Sequence, residues 1–366
     1  MRKYIFISLF CIILISIFKY SNNKNKGSDT YFQFNSDVEN TSNANNLLTP
    51  FRSVFSEFNI RPVSHVEKAS IVFFTLLTDY QKKYNFLNNI KEPLHIYSLL
   101  SIDLLASKSV MYKILQKYNS KNKIKQFTPI TYLLSNTKEL EQFKLNYDEN
   151  GIYILKSNIQ KQKGCLITNN LEYIEQHYTD YVVVQEVLQN PYTVNGHKIN
   201  LRQYLLIVVK EKSFNAYLFD DGFIYYTPEK FKPNSLLHKH NITTGYIDRS
   251  IYDKNPLTYK DFLNTLSVDS QKVLKNNILE LFGFICKTFK NEITKYDSNH
   301  HTKFMLLGCD VAIDDKLKCK IMEINKGPDL SYKDSVDSMI KFSLVKATFG
   351  LLNIIPKTGE NFIHIL

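Results

Sequence analysis

Leu307-Gly308-Cys309-Asp310-Val311-Ala312-Ile313, the turn Asp314-Asp315-Lys316, and Lys320-Ile321-Met322-Glu323-Ile324-Asn325 form the stretch on which the fold turns. Two apolar runs flank a short polar break, which is the pattern of an antiparallel hairpin. Each run carries one acid. A hairpin centred near Lys316-Leu317 sets Asp310 opposite Glu323, and directly opposed residues share one face of a sheet. Glu323 and Asn325 share a face by the period of two. Unpaired, the two carboxylates repel, and one pKa rises. A hard divalent cation removes the conflict. Magnesium takes one or two carboxylates and fills its shell with phosphate and water oxygens. The alternative is that both acids pair with surface lysines.

Outward from the hairpin, Gln271 to Phe289 reads as a helix, with Leu274, Ile278, Leu281, Phe282, Ile285 and Phe289 at helical spacing. A closing helix runs from about Ser335 to Phe349. Between Gly151 and Phe219, strands dominate: Ile152–Leu155, Tyr181–Gln185, Leu201–Val209 and Phe214–Phe219 are β-branched or aromatic runs divided by turn residues. Upstream, Ala69–Phe74 reads as a buried strand, Ser109–Tyr118 as a helix, and Phe127–Tyr132 as extended around Pro129. Mixed sheets with helices packed on them define an α+β class.

Several lysines stand where a polyphosphate would need them. Lys156 ends the run Ile152–Leu155, and a polar, acid-free stretch from Ser157 to Gly164 follows with Lys161 and Lys163. A strand-end ammonium before such a loop is a compact charge suited to phosphate. Lys108 is a second candidate, and Lys198 and Arg202 flank Asn200. Any one of these lysines, taken alone, reads first as a solvated surface residue.

The chain has 366 residues and a formal net charge of +11, which favours an acidic partner. Nucleic acid is not specifically supported, because no RNA-binding signature, zinc-finger spacing or tight Arg run is present. Five scattered cysteines argue against a disulfide framework or a zinc site. The apolar run Tyr4–Phe18 after Arg2-Lys3 reads as a membrane segment over residues 1–20, an uncleaved single-pass anchor in preference to a signal peptide. Residues 21–49 read as a polar tether. Two further divisions are expected at 50–148 and 149–366, the first holding N-terminal and central lobes and the second a C-terminal catalytic domain.

Taken together and in order, these stretches resemble the tubulin tyrosine ligase-like branch of the ATP-grasp superfamily, from about residue 65 to 352. Leu105–Leu115 resembles its first nucleotide-lysine segment, and Pro129-Ile130-Thr131-Tyr132-Leu133 its Pro-x-Thr-x-x-Leu. Tyr153–Ser157 with Gly164 resembles the phosphate-covering strand and loop, and Val183-Val184-Gln185 the adenine-side strand. Lys198-Ile199-Asn200-Leu201-Arg202 resembles Lys-x-Asp-x-Arg, with Asn200 in the Asp position. Ile242-Thr243-Thr244 resembles Leu-Thr-Asn, and Gly308–Asp310 and Met322–Leu330 resemble the two metal-binding strands. Tyr225 stands in the place of an Arg that grips the amino acid's carboxylate.

The resemblance implies an ATP-grasp fold in which Lys108, Lys156, Gln185, Lys198 and Asn200 bind ATP and Leu188 lines the adenine pocket. It implies magnesium on Asp310, Glu323 and Asn325. Arg202 would face the acceptor or an acyl phosphate, and Arg202, Lys156 and Glu323 would carry the catalysis. The activity implied is ligation of a free amino acid (tyrosine, glutamate or glycine) to a protein carboxylate, with an acidic tail such as tubulin's as partner. The anchor would place the catalytic domain on the cytoplasmic side. The alternatives are a non-catalytic module binding nucleotide or an acidic protein at a membrane, and an ATP-grasp ligase for another small acceptor.

Overall fold

A computed structural model describes residues 31–34, 49–63, 65–74, 77–122, 127–157, 164–243, 249–296, 299–357, 359 and 361–366. The strands among them are Tyr31–Phe34 (β1), Arg61–Pro62 (β2), Ile71–Phe73 (β3), His95–Tyr97 (β4), Thr131–Leu133 (β5), Tyr153–Lys156 (β6) and Cys165–Thr168 (β7). There follow Val183–Glu186 (β8), Thr193–Val194 (β9), His197–Lys210 (β10), Ser213–Tyr226 (β11), Thr302–Ile313 (β12), Cys319–Lys326 (β13) and Phe362–His364 (β14). Four helices bear on the site: Thr49–Glu57 (α1), Lys108–Asn122 (α2), Val268–Thr294 (α3) and Ser335–Leu351 (α4).

The larger sheet has the order β14-β11-β10-β12-β4-β3-β1-β2, with β13 also on β12 and β9 on β10; the smaller has the order β5-β8-β6-β7. The α+β class with mixed and antiparallel sheets is what the sequence led one to expect. β12 is the hub. It runs antiparallel to β10 along its length, parallel to β4 through Thr302–Phe304, and antiparallel to β13 from Leu307 onward. Phe304, Met305, Leu306 and Leu307 are all buried, a continuous apolar run of the kind made by a strand covered on both faces.

Helices supply both covers. Phe304 meets Phe349 of α4 at 6.5 Å between ring centroids, while Cys309, of opposite parity on β12, lies near Cys286 of α3. α3 starts where the Ser267 hydroxyl accepts from the Ser270 amide, and it buries Leu274, Ile278, Leu281, Phe282, Ile285 and Phe289. α4 starts where Asp334 accepts from the Asp337 amide, and its Phe349 stacks on Phe55 of α1 at 5.6 Å. In the smaller sheet, Tyr153, Leu155 and Val184 pack with Leu134, Leu140, Phe143 and Ile174. Alternation therefore turns Ile154 and Ile167 to the opposite face.

Two readings of the N-terminal region change. The single-pass anchor at 4–18 is not upheld: among the described residues no helix is long and apolar enough to cross a membrane. Residues 1–20 themselves lie outside the described residues. The 27-residue α3 has the length, but Lys272, Lys275, Lys287 and Lys290 keep one side polar while the other packs on the sheet. Within the stretch read as a tether, Tyr31–Phe34 forms β1, parallel to β3 with Phe32 opposite Ile71. Its aromatic content suits a strand.

Candidate active site

The two sheets face each other across a cavity of about 180 Å³. Its lining brings together Lys108, Lys156, Leu188, Lys198, Asn200, Asp310 and Glu323, all singled out in the sequence. Arg202, Gln185 and Asn325 stand behind or beside the cavity lining.

The larger sheet supplies a row of charges. Arg202 on β10 is the register partner of Asp310 on β12, and Asp310 is the partner of Glu323 on β13. The row depends on an irregularity. Val311 pairs with Ile321 but Asp310 pairs with Glu323, so Met322 is an extra residue. A regular ladder would set Met322 against Asp310 and turn Glu323 to the other face. The bulge restores the acid to the cavity, and Met322 lines it as well. The Tyr112 hydroxyl on α2 donates to the Met322 carbonyl at 2.9 Å and pins the bulge. Asn325 is the register partner of Gly308, two residues along from Glu323 and half-buried.

Asp310 takes two bonds from one guanidinium: Arg202 Nε to Oδ1 at 2.6 Å and Nη2 to Oδ2 at 3.1 Å. Burial pushes the Asp310 carboxyl up, and Arg202 holds it back. Burial works against the charge on Arg202, but the Asp310 charge and hydrogen bonds, with Tyr225 and Tyr204, together outweigh it and the guanidinium stays ionised. Its Cζ lies 5.1 Å from the centroid of the Tyr225 ring. Room for Arg202 comes from Gly308, where a Cβ would lie 3.1 Å from Nη1. Lys108, the first residue of α2, reaches to 3.6 Å from Glu323.

The smaller sheet supplies the opposing cation. Lys156 is 8% exposed and donates to Gln185 Oε1 at 2.7 Å. Gln185, fully buried, donates in turn to Thr131 Oγ1 at 2.8 Å, and that hydroxyl donates to Pro129 O. The relay fixes the ammonium. Burial pushes Lys156 below the ordinary lysine value, and the Glu323 charge offsets part of that.

At the far end, Lys198 is lowered to about 8 by burial and by the charge of Lys156. Asn200 donates to Thr243 Oγ1 at 3.1 Å, and its buried Oδ1 has no hydrogen-bond partner among the described residues. A buried acceptor left unpaired is costly, so it is a place for a ligand's donor. Asn241, Ile242 and Thr243 join the lining because a network holds their segment. Buried His240 sits between Ser235 Oγ at 2.6 Å and Glu229 Oε2 at 3.1 Å, and Asn241 donates to Ser235 O.

Among the described residues, four cations (Lys108, Lys156 and Lys198 in the lining, Arg202 beside it) stand against three carboxylates (Glu186, Asp310, Glu323), which leaves one positive charge in excess for an anionic ligand. Two opposed carboxylates with an amide two residues on fit a magnesium ion that takes its remaining oxygens from phosphate and water. Among the described residues no three His, Cys, Asp or Glu side chains cluster as an all-protein metal cage. Lys161, Lys163 and Thr244 lie outside the described residues. Sequence reading had not picked out Tyr112 or Cys165 for the site. Tyr112 lies in a stretch already singled out, but nothing local pointed to a bond 210 residues away. The thiol lines the cavity as the register partner of Lys156.

Two sheets closing on a cleft lined by lysines and carboxylates are of the ATP-grasp type. The chain belongs to the tubulin-tyrosine ligase family, whose model matches residues 99–361. It is 25% identical over 254 residues to the probable tubulin polyglutamylase ttll-9 of Caenorhabditis elegans, covering 64% of this chain and 60% of that one. Against tubulin polyglutamylase ttll-4 of Caenorhabditis briggsae it is 23% identical over 245 residues, 63% of this chain and 41% of that one. The human inactive polyglycylase TTLL10 is 26% identical over 247 residues, 57% of this chain and 36% of that one. The matched region therefore spans 60% or less of each of these relatives.

Proposed function

We propose that this chain is an ATP- and magnesium-dependent ligase that joins an amino acid, of the tyrosine, glutamate or glycine type, to a protein carboxylate. Glutamate is the donor favoured by the polyglutamylase relatives, and tubulin is the favoured acceptor. The observation that carries the reading is the row Arg202, Asp310, Glu323, whose two carboxylates line a cavity that Lys156 lines from the smaller sheet.

Asp310, Glu323 and Asn325 would hold magnesium, which supplies charge neutralisation on the phosphate oxygens. Lys156 and Lys198 bind and orient the triphosphate, and Lys108 approaches from the end of α2. Leu188, Ile154 and Ile167 give the base an apolar bed. The Asn200 Oδ1 is an acceptor for a ribose hydroxyl. A carboxylate oxygen of the acceptor attacks the γ-phosphorus and ADP leaves. The amino group then attacks the acyl carbon, phosphate leaves, and the nitrogen loses a proton. Arg202 stabilises charge on the transferring group. Positioning and charge are the whole contribution such a site makes to phosphoryl transfer.

The test is the full chain with ATP, magnesium, tubulin and each labelled amino acid in turn. The expected result is label in tubulin with ADP release, strongest with glutamate and lost in Glu323→Ala. No label and no ADP with any donor would remove the reading, and would leave a nucleotide-binding or acidic-protein-binding module. Label in small peptides but not in tubulin would move the acceptor elsewhere.

A further inference from the structure

Both carboxylates of the row are already engaged by side chains of this chain. Arg202 covers both oxygens of Asp310, at 2.6 and 3.1 Å, and Lys108 stands 3.6 Å from Glu323. The Arg202 side chain is only 13% exposed, and Tyr225 covers it from one side. A magnesium ion needs carboxylate oxygens at about 2.0–2.1 Å, in directions that a two-pronged guanidinium occupies.

We propose that Arg202 and Lys108 form a charge clasp that keeps a lone divalent cation off Asp310 and Glu323 and yields to it only together with a polyphosphate. The proposal rests on the nucleotide reading of the same site. A lone cation would have to expel Arg202 from its carboxylate and leave a mostly buried guanidinium without an anion, an unfavourable exchange. A polyphosphate changes the balance. Its oxygens accept Arg202 and Lys108 while the metal takes the carboxylates, so each charge loses one partner and gains another. Metal and nucleotide then bind cooperatively, and by linkage each raises the other's affinity by the same factor. The 3.6 Å Lys108 pair is the looser half, and the bidentate Arg202 pair carries most of the effect.

The experiment titrates the full chain with Mn2+, followed by electron paramagnetic resonance, alone and with a non-hydrolysable ATP analogue. The wild type is expected to bind Mn2+ weakly alone and about tenfold or more tightly with the analogue. Arg202→Gln, which leaves Asp310 without its cation, is expected to bind Mn2+ alone about tenfold tighter than the wild type and to show less coupling. Mn2+ binding to Arg202→Gln no tighter than to the wild type, or wild-type Mn2+ affinity indifferent to the analogue, would overturn the clasp while leaving the nucleotide site standing. A wild type that binds neither the analogue nor Mn2+ in the mixture would overturn both. Should circular dichroism show Arg202→Gln unfolded, Lys108→Gln is read the same way: tighter Mn2+ binding supports the clasp, and none overturns it.

Discussion

Asp310 stands directly opposite Glu323 because Met322 is taken up as an extra residue in β13, and the two acids differ in how deeply the fold holds them. The Asp310 side chain is 19% exposed and bonded twice by Arg202; Glu323 is 34% exposed and has a single looser partner. Their substitutions should therefore separate. Glu323→Gln should lower ADP release by about 10²–10³-fold. Its stability should change by no more than about 1 kcal/mol, as for an exposed pair. Asp310→Asn should lose the activity and also about 3–5 kcal/mol, because it strands the Arg202 charge. Chemical denaturation beside an ADP-release assay checks both, and equal stability losses in the two variants would contradict the assignment.

Tyr112 tests the bulge. Its hydroxyl, on a fully buried ring, holds the Met322 carbonyl at 2.9 Å. Tyr112→Phe keeps the ring and removes the hydroxyl's bond to Met322, so stability should fall by about 1 kcal/mol. If that bond positions Glu323, Mn2+ binding in the presence of an ATP analogue should weaken as well. Unchanged metal affinity would show that the bulge holds its shape without the tyrosine.

The parts of the site that sequence made legible are local. That Asp310 and Glu323 lie on facing strands of one hairpin follows from two apolar runs and a short turn. The sharing of a face by Lys198, Asn200 and Arg202 follows from the period of two. The direct pairing of Asp310 with Glu323 rests on the irregular uptake of Met322. α3 was legible because its apolar positions recur at helical spacing. What could not be read is distant or irregular. The Arg202–Asp310 pair spans 108 residues, and no local pattern points to it. β11 was expected to span only Phe214–Phe219. It continues to Tyr226 because β10 pairs with it on both sides of an irregularity, up to Leu205–Leu218 and again from Gln203–Gly222. β1 was hidden in a polar stretch, since four aromatic-rich residues acquire their partners only from β2 and β3.

Two glycines mark close approaches, and they predict different costs. A Cβ on Gly222 would lie 2.2 Å from the Arg202 backbone oxygen, which cannot swing away. Gly222→Ala should cost about 3 kcal/mol or more and disturb β10 where it carries Arg202. At Gly308 the added methyl would meet Pro328 Cβ at 2.9 Å and the movable Arg202 Nη1 at 3.1 Å. Gly308→Ala should cost less, about 1–3 kcal/mol. Its larger effect should be on function, since it crowds the guanidinium on Asp310. Denaturation midpoints and Mn2+ titrations compare the two, and a cheaper Gly222→Ala would contradict the packing.

Lys198 gives the site a pH dependence. Burial, with the charge of Lys156, lowers it to about 8, and it lines the cavity where a polyphosphate would lie. A bound anion favours the charged ammonium, so the pKa in the complex lies above that of the free chain. Well below pH 8 the lysine is charged in both states, and affinity for an ATP analogue should be flat. Between the free and bound values, binding takes up a proton, and affinity should fall by up to about tenfold per pH unit. Stability should move the other way. The folded value lies below the unfolded one, so over the window above 8 the unfolded chain holds more protons and stability rises with pH. Lys156 is also lowered and could contribute, but Lys198→Arg separates them, because an arginine stays charged throughout. Isothermal titration across this range should show the wild-type affinity falling and the Lys198→Arg curve flatter. A wild-type affinity that stays level well above pH 8 would mean that Lys198 does not meet the ligand.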